Sequence, residues 1–277
     1  MPPVFTPAAF VRRIGFYVLV GLVAAFFAIP LLWLLTAPFD TTPAYGVQVP
    51  DFTLGNFRTL LANEQAMISL GESVILALGS MAVTVGGAAL AAYALSRVAV
   101  PGRGALLYLL LLLSSVVTGT TAMVPIFLLM FEAGLIDSRA GVVLVMTGGL
   151  LPAAIFILKD FMDATPRSYE ESARVFGARP LQILWHVVVP ITRPGLATIA
   201  VWATVQVWGN FLVPFILFTD PAKQPAAVIM HTFYTEGGQP KLALISAFSL
   251  LYSAPVVAMY VFVSRRYGFR FHGGIKR

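Results

Sequence analysis

Six long apolar stretches alternate with short polar connectors along this chain of 277 residues. They cover approximately residues 14–37, 71–95, 105–131, 140–158, 195–218 and 242–264, and a run such as ALLYLLLLLSSVV carries no charge. A helix rising about 1.5 Å per residue needs about 20 apolar residues to cross a hydrocarbon layer about 30 Å thick. Each stretch reaches about that length, so the pattern predicts six transmembrane helices. The first is too long for a signal-peptide core and lacks a convincing small-residue cleavage site, so it is expected to be a retained span.

Composition agrees with that pattern. The chain is 58% hydrophobic and 11% charged, with a mean hydropathy of +0.86, against about 45–50% and about 25% in soluble domains. So few charged side chains cannot cover a water-soluble globule of this size, and a disordered chain would be poor in apolar residues. The expected fold class is an all-α polytopic membrane protein, with residues 1–277 forming one transmembrane domain. The absence of cysteine removes disulfides, thiol chemistry and Cys-based metal sites, and leaves the compartment open.

A net charge of +6 and a pI near 9.8 would raise nucleic-acid binding in a soluble protein. Here the charges sort by loop instead. Arg12, Arg13, Arg97, Arg103, Lys159, Arg167, Arg174, Arg179, Arg193 and the cations of the 265–277 tail make 14 on one side, against Arg58, Arg139, Lys223 and Lys241 on the other. Basic residues concentrate on the cytoplasmic side, so both termini are expected in the cytoplasm. The balance resolves into about +10 inside and −3 outside, with Glu72 left near the outer end of the second span, where its side chain could reach the headgroup level. No charge falls deep within a span, which disfavours an ion-coupled carrier and fits a conduit for neutral, hydroxyl-rich solutes. The outer loop 38–70 contains DFTLGNFRTLL, where Asp51 or Thr53 could cap a short surface helix with Leu54, Phe57, Leu60 and Leu61 on one face.

The longest cytoplasmic connector, residues 159–193, is the least like a plain linker. Thr165 and Pro166 read as an N-cap and first helical residue, Glu170 and Arg174 stand at i,i+4, and Gly177 suits the left-handed position that ends a helix. A rigid helix between spans could transmit a partner's displacement to them. An amphipathic connector lying on the membrane surface has the same composition.

Glu171-Ser172-Ala173, three residues, Gly177, nine residues and Val187-Val188-Val189-Pro190 resemble the EAA loop of ABC-importer permeases, written E-A-A-x3-G-x9-I-x-L-P. The surrounding YEESARVFGARPLQILWHVVVPITRPGL, together with DFTLGNFRTLL, AAYALSRVAVPGR, GLIDSRAG and GGIKR, resembles the second permease subunit of maltose-type sugar importers. The resemblance implies type I ABC-importer architecture. It makes 166–178 a coupling helix seated on a cytoplasmic ATPase, with Tyr169, Glu170, Glu171, Ser172, Ala173, Arg174, Phe176, Gly177 and Pro190 as coupling residues and Gly274 and Lys276 of the tail as further contacts. It also implies a second permease, two ABC ATPase subunits carrying ATP and Mg, an extracytoplasmic solute-binding protein, and the inner membrane of a prokaryote. The chain departs from the pattern at Ser172, Val187 and Val189, at Phe176 where aspartate is common, at Glu72 where asparagine is frequent, and at Gly209 and Asn210 where asparagine and an acid are usual.

The chain has no G-x4-G-K-[ST] phosphate loop, since GRGALL and GGIKR fail its spacing. No catalytic grouping can be read, and His186, His231 and His272 lack ligand spacing, so no enzyme activity, metal site or cofactor of its own is expected. Trp202, Gln206 and Asn210, four apart on the fifth span, are candidate pathway residues: amides and an aromatic face suit a sugar, although inter-helix hydrogen bonding would use them equally. Ser114, Ser115, Thr118, Thr120 and Thr121 read as packing residues. The chain is therefore expected to be half of a carbohydrate pathway. The alternatives are the same machine for a polyol, glycerol-phosphate ester or peptide, and a stand-alone channel or secondary carrier.

Overall fold

The computed structural model describes residues 7–98, 101–117, 120–234 and 239–267. In chain order they form α1 (Pro7–Thr36), α2 (Gly55–Leu61), α3 (Glu64–Arg97), α4 (Arg103–Val117), α5 (Met123–Glu132), α6 (Arg139–Asp163), α7 (Ser168–Val175), α8 (Pro180–Ile183), α9 (Val189–Ile191), α10 (Arg193–Trp208), α11 (Leu212–Leu217), α12 (Ala226–Ile229) and α13 (Leu242–Tyr267). A π-helical turn, Leu184–Val188, joins α8 to α9. Among the described residues there is no strand, only the isolated bridges Asp40–Phe52 and Tyr234–Pro240. Among the described residues, four helices are long and apolar enough to cross a membrane, and a fifth if the bent pair Pro180–Ile191 and Arg193–Trp208 is one span.

The first, second, fourth and sixth apolar stretches are single helices, as their run length predicts. The third and fifth are not. Residues 105–131 divide into α4 and α5, with a 3-10 turn at Thr120–Ala122. The β-branched Thr120 and Thr121 are weak helix formers, and Pro125 withholds the amide that would bond back to residue 121. Residues 195–218 are interrupted after Trp208, where Asn210 Oδ1 accepts from Val213 N at 3.1 Å and starts α11. Local side-chain capping competes there with continuation of the helix.

The chain divides into two compact units. The first comprises the described residues of Met1–Glu64 with His231–Ala254. Within it, Asp40 organises the loop after α1: its carboxylate accepts from Thr42 N at 3.1 Å and from Gln48, and its carbonyl accepts from Asn56 Nδ2 at 2.7 Å. The Gln48 bond, then that from Thr42, holds the Asp40 carboxyl below its ordinary value. Phe39 stacks on Phe52 at 5.6 Å and meets Phe57 at 5.2 Å. The surface helix is present as α2, but Asp51 does not cap it; Thr53 Oγ1 accepts from Gly55 N at 3.0 Å. Of its expected apolar face, Leu60 is buried and Phe57 half-buried, while Leu54 and Leu61 are exposed.

The second unit comprises the described residues of Gln65–Met230 with Pro255–Arg277. Its centre is the α3–α6 pair. A Cβ on Gly79 would lie 3.2 Å from Val143, and one on Gly87 3.1 Å from Leu151. Both contacts advance by eight residues on each helix, so α3 and α6 run parallel. The pair is also bonded at both ends. Arg139 grips Glu72 in bidentate fashion, Nε to Oε2 at 2.8 Å and Nη2 to Oε1 at 2.5 Å, and Ser96 donates to Asp163. Glu72 lies two turns into α3, buried, with its charge answered by Arg139, the first residue of α6. α10 lies against α6, where a Cβ on Gly195 would sit 2.6 Å from the Phe161 ring. At the other end of α6, Asp137 N donates to Leu217 O at 3.0 Å. The α10–α11 segment thus runs the length of α6 in the opposite direction.

Candidate functional site

The connector 159–193 folds into two parts that meet the ends of three long helices. α7 is shorter than predicted, and its start differs. Thr165 is not its cap: Thr165 Oγ1 donates to Phe161 O at 3.1 Å, extending α6, and Arg167 precedes the first turn without a side-chain cap. Its end is as expected. Gly177 has φ +80°, with Gly177 N donating to Arg174 O at 2.9 Å and Ala178 N to Ala173 O at 3.1 Å. Those are the two bonds of a Schellman termination, which needs a residue without a Cβ penalty at this position.

α7 has an inner and an outer face. Glu170 is turned inward, 2% exposed, and accepts from Arg97 Nε at 2.6 Å and from the Tyr93 hydroxyl at 3.2 Å. Arg97 is only 7% exposed in its side chain and also donates through Nη2 to Thr165 O at 3.2 Å and through Nη1 to Ser96 Oγ at 3.1 Å. Glu170 was expected to pair with Arg174 on the surface; it instead fastens α7 to the last turn of α3. Burying a carboxylate is costly without a cation and hydrogen bonds, and Arg97 with Tyr93 supplies both. Ala173 packs against the apolar cluster that holds Ala92, Leu158 and Met162.

The outer face is apolar where a soluble surface would be charged. Phe176 is 90% exposed and Val175 84%, and Tyr169 is exposed as well, with Glu171, Ser172 and Arg174 among them. Leu181 and Trp185 continue the exposed apolar surface. Large apolar side chains this fully exposed, with Glu171, Ser172 and Arg174 between them, suit an interaction surface.

The second part is an elbow. Arg179 N donates to Gln182 Oε1 at 2.8 Å at its entry, and Ile183, Leu184 and Val188 are buried in the same cluster as Ala88, Ala154 and Ile199. Pro190 is half-buried and cannot return a hydrogen bond to residue 186, which accounts for the wide π turn just before it. At Thr192 the chain turns by 81° into α10. Movement of α7 would therefore bear on α3 through Glu170 and on α10 through the elbow.

The profile of the family described as "Binding-protein-dependent transport system inner membrane component" matches residues 88–268. The chain belongs to this family. The match spans the end of α3, the α7 site, the elbow and the fifth and sixth apolar stretches. Among similar members, the maltodextrin transport system permease protein MdxG of Bacillus subtilis is 26% identical over 263 residues, covering 94% of each chain. A putative ABC transporter permease protein, ORF1 of Streptomyces antibioticus, is 31% identical over 214 residues, covering 77% of this chain and 93% of that one. A chain in the crystal structure of a bacterial ABC transporter involved in import of the acidic polysaccharide alginate superposes with a TM-score of 0.81 at 21% identity, covering 96% and 99%. That likeness shows that the two chains share a fold.

The candidate pathway residues of this family member do not form one group. Trp202 lines an apolar cavity of about 350 Å³ with Ile157, Val201, Val205, Tyr260 and Val263. Gln206 and Asn210 line a different one of about 130 Å³, with Met123 of α5 and Val145, Met146 and Gly149 of α6. Asn210 is not on the same helical face as the other two, because α10 ends at Trp208. Gly274 and Lys276 lie outside the described residues. Arg97 and Tyr93 were missed as site residues from sequence, where Arg97 counted only as a topological cation; their i,i+4 spacing on α3 was the available signal.

Proposed function

We propose that this chain is the permease subunit of an ATP-driven carbohydrate importer, forming half of the solute pathway and coupled through α7 to a separate ATPase. The single observation that carries the coupling assignment is the two-faced α7: its inner carboxylate is fixed to α3, and its outer face leaves Phe176 and Tyr169 uncovered. A helix held so firmly from within and left apolar without is suited to sit in a groove of a cytoplasmic partner. Glu171, Ser172 and Arg174 would provide its polar rim, and Gly274 and Lys276 of the tail a second contact.

Six crossings with both termini in the cytoplasm are part of this proposal. Because α3 and α6 run parallel, the intervening α4 and α5 must together return across the layer once, as a broken third span. Because α10 and α11 run the length of α6 in reverse, they make a broken fifth. With α1 and α13 that gives six, and the 14 to 4 distribution of Lys and Arg supports the orientation.

Carbohydrate as cargo is supported by the maltodextrin permease relative. Gln206 and Asn210, amides beside a break in the fifth span, are the proposed solute contacts; Trp202 serves packing. The proposed partners are a second permease, two ABC ATPases that hold the ATP and Mg, and an extracytoplasmic binding protein, in the inner membrane of a prokaryote. Closure of the ATPases would draw the coupling helices together and switch the paired permeases from inward-facing to outward-facing. The test is Glu171→Lys and Gly177→Pro in the reconstituted complex. Both should reduce solute-stimulated ATP hydrolysis and uptake, and undiminished coupling in both refutes the assignment of α7.

A further inference from the structure

A cavity of about 350 Å³ at the α7 end of the second unit is lined by Ser96, Arg97, Arg103, Asp163, Thr165 and Arg167. Its charges do not balance. Arg97 is answered by Glu170 and Asp163 by Lys159. Arg103 and Arg167 have no carboxylate within ion-pair distance among the described residues, and Arg103 feels the Asp163 carboxylate of the same lining only at longer range. They are nevertheless held in place. Arg103 Nη1 donates to Leu95 O and Arg167 Nη2 to Ser96 O, each at 3.3 Å. Two guanidinium groups are thus anchored on successive carbonyls of the last turn of α3, where free carbonyls and the helix dipole favour cations. Both residues line the cavity, are exposed, and use one guanidinium N–H each in these bonds, out of five donors that each group carries.

We propose that this cavity is a seat for the phosphate group of an anionic phospholipid, received between Arg103 and Arg167. A phosphate offers the oxygen geometry that a guanidinium fork engages through two N–H bonds. The seat lies at the ends of two long apolar helices, α3 and α6, which the proposed topology puts at the headgroup level, and basic pockets between helices at that level are suited to acidic headgroups. Leu106, one turn along α4 from Arg103 and outside the cavity lining, is exposed and apolar, so an acyl chain running along α4 from a phosphate at Arg103 would meet an apolar surface. A soluble anion would have no use for such a surface. The same topology names the leaflet as the inner one. The same Arg97 that lines the seat holds Glu170, so an occupied seat would brace the root of α7.

The experiment is native mass spectrometry of the full chain in detergent with added dioleoylphosphatidylglycerol or dioleoylphosphatidylcholine. The glycerol lipid should be retained in preference to the choline lipid. A surface cation contributes about a fivefold factor in affinity for anionic lipid, so Arg103→Gln and Arg167→Gln should each weaken retention about fivefold and the double variant about 25-fold. The double Lys variant, Arg103→Lys with Arg167→Lys, should recover much of it, which separates lost charge from lost fold. Retention of phosphatidylglycerol in excess inorganic phosphate supports the lipid as the source, and complete displacement overturns it in favour of a soluble anion. Equal retention of the two lipids, or a double Gln variant that binds like the unaltered chain, overturns the site. None of these readouts involves the ATPase or solute, so the seat and the coupling assignment can fail separately.

Discussion

Removing Arg97 should do more damage than its place at the very end of α3 suggests. Arg97→Met leaves the Glu170 carboxylate buried with only the Tyr93 hydroxyl and also releases the bond to Thr165 O. Stripping one partner from a buried pair costs about 3–5 kcal/mol, because a desolvated charge remains. Glu170→Gln is milder at about 1.5–3 kcal/mol, since Arg97 keeps its bonds to Thr165 and Ser96 and an amide oxygen can still accept. If the two groups acted independently, the double variant would lose about 4.5–8 kcal/mol. If they act as one pair, the double variant no longer holds a stranded charge and should be no worse than Arg97→Met alone, a coupling of at least about 1.5 kcal/mol. Equilibrium unfolding of the full chain in mixed micelles, followed by the fluorescence of Trp185 and Trp202 beside the elbow, measures all four corners of the cycle. Additivity within about 0.5 kcal/mol would refute the pairing that fastens α7 to α3.

Other expectations follow from single contacts. If α7 docks on an ATPase subunit as proposed, Phe176→Ser should leave chain stability unchanged yet weaken that binding by about tenfold or more, as loss of an exposed aromatic anchor does, and a pull-down titration reads it. Gly195→Ala forces a methyl to 2.6 Å from the Phe161 ring and should cost about 1–3 kcal/mol, measured by the same unfolding assay. Asp137 accepts from the Thr219 hydroxyl, then from Asp220 N, and these bonds hold its carboxyl below the ordinary 3.8. A lowered value means that its contribution is complete above pH 3.8 and disappears as pH falls through the depressed value. Amide exchange at Thr219 and Asp220, compared with Asp137→Asn at each pH, should converge on the variant only in that acid range.

The fold was legible wherever one physical signal dominated. Run length alone marks α3, α6 and α13, and a lone glycine after a polar helix marks the left-handed stop at Gly177. The breaks in the third and fifth spans were hidden because apolarity continues through them, while local chemistry at Pro125 and Asn210 decides the backbone. Glu170 was misplaced for another reason. Spacing within the connector offers Arg174 as a partner, but the stronger offer comes from Arg97, 73 residues earlier, and only the parallel run of α3 and α6 brings it there. For Trp202, Gln206 and Asn210, the four-residue spacing assumed a helix that stops at Trp208.

The α3–α6 pair is tied at Glu72–Arg139 and at Ser96–Asp163, with glycine contacts between, so it behaves as a strut rather than a hinge. Bending during any working cycle is left to the two interrupted segments and the elbow. The chain contains no cysteine, so paired cysteines can be introduced without clearing a background. A pair at 79 and 143 would act as a fixed ruler, crosslinking at one rate in every state, and pairs from α10 to α6 would register the stroke against it.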